Sequence, residues 1–163
     1  MELTAKKLRS VLDYNPSTGI FRWKVAYTRK VGTVAGYIND NGYRVICIFS
    51  KDYRASNLAF LWMVGKLPIV DVDHKNRKKF DDRWKNLRLA TRSQNMANSK
   101  YDDSRKVKKA PKGVCWDSYH QKFRAGIMIN YKRIHLGFFD TPSRAQDAYI
   151  TAAQKYFGEF ARS

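Results

Sequence analysis

Residues 73–95 contain a spaced set of polar side chains that could do chemistry. Asp73 and His74 are adjacent, Asn86 opens the segment NLRLAT, and Asn95 closes the segment SQN. Phosphodiester hydrolysis needs a base that activates water and positive charge near the scissile phosphate. An imidazole can be the base, and carboxylate and amide oxygens suit Mg²⁺. The pattern indicates a nuclease site, although a surface Asp-His turn and asparagines in caps would account for the same residues without chemistry.

Local signals predict the elements that would position this set. Ile69–Val72 is typical of a strand that delivers the Asp-His pair to its end, and Asn86–Leu89 is typical of a second strand. Thr91 and Gln94 have the spacing of a capping box, which places Asn95 in the first turn of a helix. The prediction is therefore two strands followed by a helix, a layout that can hold one metal ion.

The preceding residues predict a small mixed α and β region. Thr4 can cap a first helix, Ile20–Lys24 is typical of a strand, and Ala55–Val64 of a helix stopped by Gly65. The segment NDNG at 39–42 ends in an Asn-Gly pair, which favours a hairpin between 36–38 and 43–49.

The last fifty residues have their own pattern. Residues 99–112 have no apolar period and carry several lysines, which is typical of a basic linker. Apolar and polar residues alternate through 123–129 and 134–138, and an alanine-rich helical stripe starts at Pro142. These features predict a three-stranded sheet with one helix, with Arg124 and Arg133 on the polar face of the sheet.

The composition points to a polyanionic partner. The formal net charge is +18, with a pI near 10.1, and aromatic residues make up 14% of the chain, which favours a folded basic protein. The sequence has neither an apolar run of membrane-spanning length nor an apolar signal segment, so we expect a cytoplasmic protein that is not secreted. Cys47 and Cys115 form no CxxC pattern, so we expect no disulfide framework and no structural zinc, and we predict both cysteines in the core.

At Asp73-His74, Asn86-Leu87-Arg88 and Gln94-Asn95, the chain resembles the HNH endonucleases of phages and mobile introns. Asp82-Arg83 matches the Asp-Asn-Arg segment of that family only in part. The resemblance implies a ββα-metal fold, His74 as general base, Asn86 as the group that orients it, and Asp73 and Asn95 as ligands of one divalent metal. Ser56-Asn57 stands where relatives usually carry His-Arg, so a DNA contact made by that pair is missing.

The C-terminal segment resembles the AP2 DNA-binding domain, through Lys112-Gly113-Val114, Phe123-Arg124-Ala125 and Leu136-Gly137-Phe138-Phe139. In that family the sheet lies in the major groove. The residues expected to contact DNA are Arg88, Lys112, Trp116, Lys122, Arg124, Lys132 and Arg133. Packing remains an alternative for Trp116, and an ordinary solvated position remains one for Arg124 and Arg133.

Together these features predict an α+β protein with an HNH nuclease domain at 1–98, a basic linker at 99–112 and an AP2-like domain at 113–163. The expected function is that of a homing-type endonuclease that nicks or cleaves double-stranded DNA with Mg²⁺ or Mn²⁺. No small-molecule cofactor is expected, a monomer is favoured, and a phage-encoded protein would act in the bacterial cytoplasm. The alternative is a non-catalytic DNA-binding regulator on the same scaffold.

Overall fold

The computed structural model describes residues 3–26, 30–99 and 110–161. The chain divides into two compact units, Met1–Leu89 and Ala90–Ser163. The helix predicted after Thr91 lies in the second unit, whereas the sequence pattern assigns it to the nuclease domain. Most of the predicted linker at 99–112 lies outside the described residues, and the predicted domain bounds stay a prediction.

The first unit combines two helices with three small sheets. Its helices are α1 (Ala5–Val11) and α2 (Ala55–Val64), and a short 3₁₀ helix covers Trp84–Asn86. Its strands are β1 (Leu12–Asn15), β2 (Ile20–Trp23), β3 (Tyr37–Ile38), β4 (Arg44–Ile48), β5 (Lys51–Arg54), β6 (Asp71–His74) and β7 (Leu87–Ala90), the last ending at the unit boundary. The sheets pair β1 with β2, β3 with β4 and β5, and β6 with β7.

Local signals set the ends of these helices as predicted. The Thr4 side chain accepts a hydrogen bond from the backbone N–H of Lys7 and so caps α1. Gly65 ends α2 in the left-handed region, with φ of 85°, a conformation that glycine adopts without steric cost. Strands β1 and β5 were not predicted from the sequence.

The core of the first unit anchors the two strands that carry the candidate site. Phe21, Leu8 and Leu58 are fully buried at its centre. Val72 of β6 and Leu87 of β7 pack into the same cluster. Burying a side chain of this size contributes about 1.5–3 kcal/mol, so each of the two strands is held in the core by its apolar residue.

The second unit contains a three-stranded sheet covered by a long helix. Its helices are α3 (Arg92–Asn98) and α4 (Pro142–Phe157), and its strands are β8 (Val114–Asp117), β9 (Lys122–Ile129) and β10 (Lys132–Phe139). The order β10-β9-β8 is antiparallel throughout. Asn130 and Tyr131, with φ of 47° and 64°, make the turn between β9 and β10 at the predicted place.

Small residues allow α4 to pack closely on this sheet. Ala145 and Ala152 are buried, as the alanine stripe predicted, and Ala153 is buried beside them. The three alanines cluster with sheet residues such as Ala125 and Ile127. Ala97 of α3 belongs to the cluster that contains Ala153. Helix α3 is therefore part of the core of the second unit.

The prediction for the two cysteines is wrong. Cys47 and Cys115 are both exposed and free. Cys47 pairs with Asp52 across the β4–β5 hairpin, and Cys115 pairs with Arg124 on the outer face of the β8–β9 pair. Each cysteine points away from the core because its strand neighbours supply the apolar face. Within the described residues, no helix combines the length and apolar character that crossing a membrane requires.

Candidate nuclease site

The candidate metal ligand Asp73 and the candidate base His74 are adjacent at the end of β6. Asp73 and His74 are each only 4% exposed, an unusual degree of burial for two polar groups. Buried polar groups require hydrogen-bond partners, because an unsatisfied one costs about 1–3 kcal/mol. The partners of these two side chains therefore define the site.

The imidazole of His74 is held by a carboxylate to which the sequence pattern gives no role. Nε2 of His74 lies 3.0 Å from Oδ1 of Asp82, and Asp82 is 2% exposed. Burial raises the pKa of Asp82, and the neighbouring His74 opposes this effect. A carboxylate bonded to Nε2 favours the tautomer with its proton on Nε2, which leaves Nδ1 as the basic nitrogen.

The hairpin β1–β2 braces Asp82 through its backbone. The hydroxyl of Tyr14 donates a 2.7 Å hydrogen bond to the carbonyl oxygen of Asp82, and burial raises the pKa of this tyrosine. Gly19 lies so close that a Cβ there would stand 2.3 Å from the backbone nitrogen of Arg83. The carbonyl of Pro16 accepts a bond from the N–H of Trp84. The turn at 16–19 thus holds the backbone of Asp82 in position.

Asn86 organises the loop that returns from His74 to Asp82. Its Oδ1 accepts from the backbone N–H of Asn76 at 3.0 Å, and its Nδ2 donates to Oδ1 of Asn76 at 3.0 Å and to the carbonyl of Asp81 at 2.7 Å. The contact with the imidazole that was predicted for Asn86 is provided by Asp82. The structure gives Asn86 an indirect part, since it holds the loop that presents Asp82.

Asp81 closes the same loop on its outer side. Its carboxylate accepts from Nε of Arg83 at 2.7 Å and from Nδ2 of Asn76 at 2.6 Å. Hydrogen bonding from Arg83 lowers the pKa of Asp81 to about 2. Asp81 therefore remains ionised at neutral pH and keeps both ends of the loop together.

Asp73 pairs with a residue that was expected to contact DNA. Nε of Arg88 donates to Oδ2 of Asp73 at 2.8 Å, from the neighbouring strand β7. A carboxylate has acceptor capacity on both oxygens, so this pair leaves Asp73 chemically able to bind a hard cation. Within the described residues, no group of three or more His, Cys, Asp or Glu side chains is arranged to hold a metal ion. A cation at Asp73 would draw on few protein ligands, which Mg²⁺ tolerates.

The second predicted metal ligand, Asn95, lies in the first turn of α3, as the capping box predicted. Thr91 Oγ1 accepts from the N–H of Gln94, and Gln94 Oε1 accepts from the N–H of Thr91. These bonds fix the start of the helix and the position of Asn95 on it. Because α3 belongs to the second unit, the role of Asn95 as a metal ligand together with Asp73 stays a prediction.

Lys112 has a structural contact in the second unit. Its ammonium donates to the carbonyls of Met96, Ala97 and Ser99, at 2.8–3.1 Å. These carbonyls belong to the end of α3, where the helix dipole also favours a cation. Lys112 thus secures α3 to the start of the three-stranded sheet, and a DNA contact by this lysine stays a prediction.

Three of the other residues expected to bind DNA, Lys122, Arg124 and Arg133, lie on the outer face of the three-stranded sheet. The register places Trp116 opposite Phe123 and Lys132 opposite Ile129, on the face that packs against α4. Arg124 pairs with Phe138, and Arg133 pairs with Met128, while Ala125 and Ile127 point into the core. The alternation therefore places Arg124 and Arg133 on the same outward face, as predicted. Nζ of Lys122 forms an ion pair with Oδ1 of Asp140 at 3.3 Å, and Lys132 is exposed. Trp116 is 42% exposed and packs edge-on against Phe123, which agrees with the packing alternative.

Comparison with known proteins shows what this arrangement is similar to. Residues 53–97 match the sequence model of the family described as HNH endonuclease, so this stretch of the chain is similar to that family. A protein of Acanthamoeba polyphaga mimivirus, described as an uncharacterized HNH endonuclease, is 29% identical over 126 residues. That alignment covers 77% of this chain and 64% of the relative. No solved structure matches the chain.

The matched stretch contains all four residues on which the nuclease prediction depends, Asp73, His74, Asn86 and Asn95. The match confirms the HNH resemblance for this segment, and the AP2 and homing parts of the prediction stay proposals. Asp82 was missed because it lies in a polar loop, where a carboxylate is ordinarily solvated. The available signal was its place in the partly matched Asp-Asn-Arg segment, where an acid replaces an amide.

Proposed function

We propose that the protein is an endonuclease that hydrolyses phosphodiester bonds of double-stranded DNA, with His74 as general base. The observation that carries the proposal is the buried hydrogen bond between His74 and Asp82 inside the HNH-matching stretch. A polar pair of this kind needs a reason to be buried, because its desolvation is costly and a folding core does not require it.

The pair supports the following chemistry. Nδ1 of His74 removes a proton from water, and the water oxygen attacks phosphorus. The bond from phosphorus to the leaving sugar oxygen breaks, and that oxygen takes up a proton from solvent. The imidazolium that forms lies beside Asp82. The negative charge of the Asp82 carboxylate stabilises the imidazolium, and the opposite charges compensate each other for their burial. Asn86 and Asp81 keep the connecting loop in place, so the imidazole does not have to be ordered during the reaction.

A divalent cation, when bound, would supply positive charge near the scissile phosphate and the leaving oxygen. The proposal keeps Asp73 and Asn95 as its protein ligands, with Mg²⁺ or Mn²⁺ as the ion. Both side chains offer the hard oxygen donors that these ions prefer. Substituting either with alanine should raise the metal concentration needed for half-maximal cleavage. Asn86→Ala should instead slow cleavage and leave that metal concentration unchanged.

The basic charge and the second unit supply the proposed DNA contact. The net charge of +18 favours a polyanion, and Arg124 and Arg133 share the outward face of a sheet whose other face is filled by α4. We assign sequence bias to this AP2-like sheet and the homing type to the whole protein. Lys122, Lys132 and Trp116 border the same sheet, and Arg88 and Lys112 complete the proposed set.

The decisive experiment is cleavage of supercoiled plasmid with Mg²⁺ or Mn²⁺, followed as open-circular and linear product. We expect His74→Ala to lose about 10²–10⁴ in single-turnover rate, the range that general base catalysis supplies, at nearly unchanged DNA affinity. His120→Ala is the matched control, because His120 also lies 3.0 Å from an aspartate but is exposed. The proposal fails if the His74 variant cuts within threefold of the parent.

One observation favours the alternative of a DNA-binding protein without catalysis. Arg88 already occupies an oxygen of Asp73, so a metal must share this carboxylate with a guanidinium. A protein that binds duplex DNA tightly and yet leaves plasmid intact with every divalent ion would establish this alternative. In that case Arg88→Ala tests whether the guanidinium keeps the metal from Asp73. If it does, the variant should gain cleavage, and if the site has no catalytic capacity, the variant should remain inactive.

A further inference from the structure

Two cationic side chains meet at one tyrosine ring in the first unit. Cζ of Arg54 lies 4.2 Å from the ring centroid of Tyr43, and Nζ of Lys79 lies 5.1 Å from it. Tyr43 directly precedes β4, Arg54 ends β5, and Lys79 lies on the loop after β6. Three separate segments therefore converge on one ring, which a single accidental contact would not produce.

The same ring lies next to the candidate base. The centroids of Tyr43 and His74 are 6.1 Å apart, with an angle of 50° between the ring planes. The positive charge of the adjacent Arg44 also acts on Asp82, the partner of that base. The ring that both cations contact is thus a neighbour of the candidate base.

No acid neutralises these cations in the part of the chain that the structure describes. Among the described residues, neither Arg54 nor Lys79 forms an ion pair with a carboxylate, and Lys79 donates instead to the carbonyl of Asn41 at 3.1 Å. Cation–π contacts at exposed positions are weak, so they do little to offset the repulsion between two nearby cations. An anion bound between them would remove that repulsion and gain charge-assisted hydrogen bonds.

We propose that Tyr43, Arg54 and Lys79 form a phosphate-binding subsite that holds the DNA backbone beside His74. The proposal rests on the proposed function for the identity of the polyanion, and it assigns a binding role to residues outside the predicted set. Arg54 offers a planar fork for two phosphate oxygens, Lys79 offers a point charge, and the Tyr43 ring fixes where both can reach.

Lys51 offers a matched control on the same strand. Its Nζ lies 5.6 Å from the ring centroid of Tyr53, so it repeats the cation and tyrosine arrangement at the opposite end of β5. Lys51→Gln removes the same charge as the test substitutions without touching the ring beside His74. Arg54 is also a safe site for substitution, because its side chain makes no capping bond to α2.

The test measures affinity for a short duplex across a range of salt, using the full chain with His74→Ala and a chelator so that no cleavage occurs. Adding Arg54→Gln or Lys79→Gln should each weaken binding about tenfold and reduce the magnitude of the salt slope by about 0.9, the value for one lost phosphate contact. Lys51→Gln should change affinity less than twofold. Arg54→Lys should recover most of the salt slope but not all of the affinity, because lysine keeps the charge and loses the fork.

Affinities of the Arg54 and Lys79 variants that match that of the Lys51 variant would overturn the subsite, provided the melting temperatures agree. If a variant melts at a lower temperature than its parent, the DNA affinity and salt slope of Arg54→Lys decide, since this variant preserves the positive charge in the same fold. The measurement needs no catalysis, so a failed cleavage experiment would leave it intact. Competition with inorganic phosphate distinguishes the sources: displacement of the duplex only by polymeric DNA supports a backbone site, and displacement by millimolar phosphate contradicts it.

Discussion

Nε2 of His74 and Oδ1 of Asp82 lie 3.0 Å apart in the interior of the first unit, where both side chains are almost fully buried. The exposed pair of His120 and Asp117 has the same separation. Water screens the exposed pair, whereas the buried pair interacts at low local dielectric and has one geometry. Equal distances therefore have different consequences, and the buried pair fixes its imidazole more firmly than the exposed pair does.

The first prediction concerns Asp82 as a positioning residue. Asp82→Ala should slow single-turnover cleavage by about 10² or more. Without Asp82 the imidazole loses its fixed tautomer and rotamer, and general base catalysis requires both to be correct. Asp82→Asn should retain more activity, since an amide oxygen can still accept from Nε2. The affinity for duplex DNA should change little in both variants.

A merely structural role would give a different result. It would lower melting temperature and DNA affinity together with the rate, and Asn would not rescue the rate beyond its effect on folding. Single-turnover rates at saturating protein, read beside thermal melts, separate the two cases. A well-folded alanine variant with a rate close to that of the parent would remove Asp82 from the site.

The second prediction concerns the turn that braces Asp82. Gly19→Ala should destabilise the protein and reduce cleavage, because the added Cβ would stand 2.3 Å from the backbone nitrogen of Arg83 and push the Asp82 segment away. Gly32→Ala is the matched control. Gly32 has a similar φ of 82°, against 75° for Gly19, but among the described residues no atom lies within 4 Å of the position that its Cβ would take.

Both substitutions carry the cost of a left-handed alanine, about 1 kcal/mol, so the difference between them isolates the clash. We expect the Gly19 variant to have a clearly lower melting temperature and a lower cleavage rate than the Gly32 variant. Equal losses in the two variants would show that backbone strain alone is responsible and that the turn does not position Asp82.

The third prediction concerns the acid side of the stability profile. Hydrogen bonding from Arg83 lowers the pKa of Asp81 from 3.8 to about 2, so the ionised form is favoured in the folded state. A lowered acid pKa contributes stability that is complete above pH 3.8 and is lost as the pH falls toward 2. The free energy of unfolding of the wild type should therefore fall through this window.

Asp81→Asn should flatten that fall, because the variant has no carboxylate to protonate. Denaturant unfolding of both proteins at several pH values checks this, with Arg83→Gln as a second variant that removes the donor instead of the acid. A gap between wild type and Asp81→Asn that is independent of pH would mean that Asp81 does not carry this part of the acid sensitivity.

Features encoded by neighbouring residues could be predicted from the sequence. Helix α2 has the predicted bounds, Ala55–Val64, because Gly65 marks its end locally. The capping box of α3 and the turn at Asn130 and Tyr131 were also found where their short-range patterns placed them. The outward face shared by Arg124 and Arg133 followed from simple alternation along two strands.

Features that depend on distant residues could not be predicted in this way. Asp82 is buried, and its backbone is held by Tyr14, 68 positions earlier, whose hydroxyl donates to the carbonyl oxygen of Asp82. Cys47 is exposed because the core face of β4 is filled by its neighbours Ile46 and Ile48. Hydrophobic character alone does not decide which face of a short strand a small side chain occupies, and a polar loop gives no sign of which of its carboxylates turns inward.

The last prediction concerns α3, which the sequence pattern groups with the nuclease domain. In the structure Ala97 packs into the cluster that contains Ile127, Ala153 and Phe157, and Lys112 donates to the carbonyls at the end of the helix. A fragment of residues 90–163 should therefore melt at a higher temperature than a fragment of residues 113–163. Losing a buried contact of this kind costs about 1 kcal/mol for each methylene-sized group exposed, and the lost lysine bonds add to it.

Two further measurements make this comparison specific to α3. Ala97→Asp in the longer fragment should reduce its melting temperature toward that of the shorter one, because a carboxylate at this position would be buried without a partner. Ala110→Asp, at a partly exposed position before the sheet, is the control and should have little effect. If 113–163 is as stable as 90–163, α3 adds nothing to the second unit, and the domain bounds predicted from the sequence are the better description of the chain.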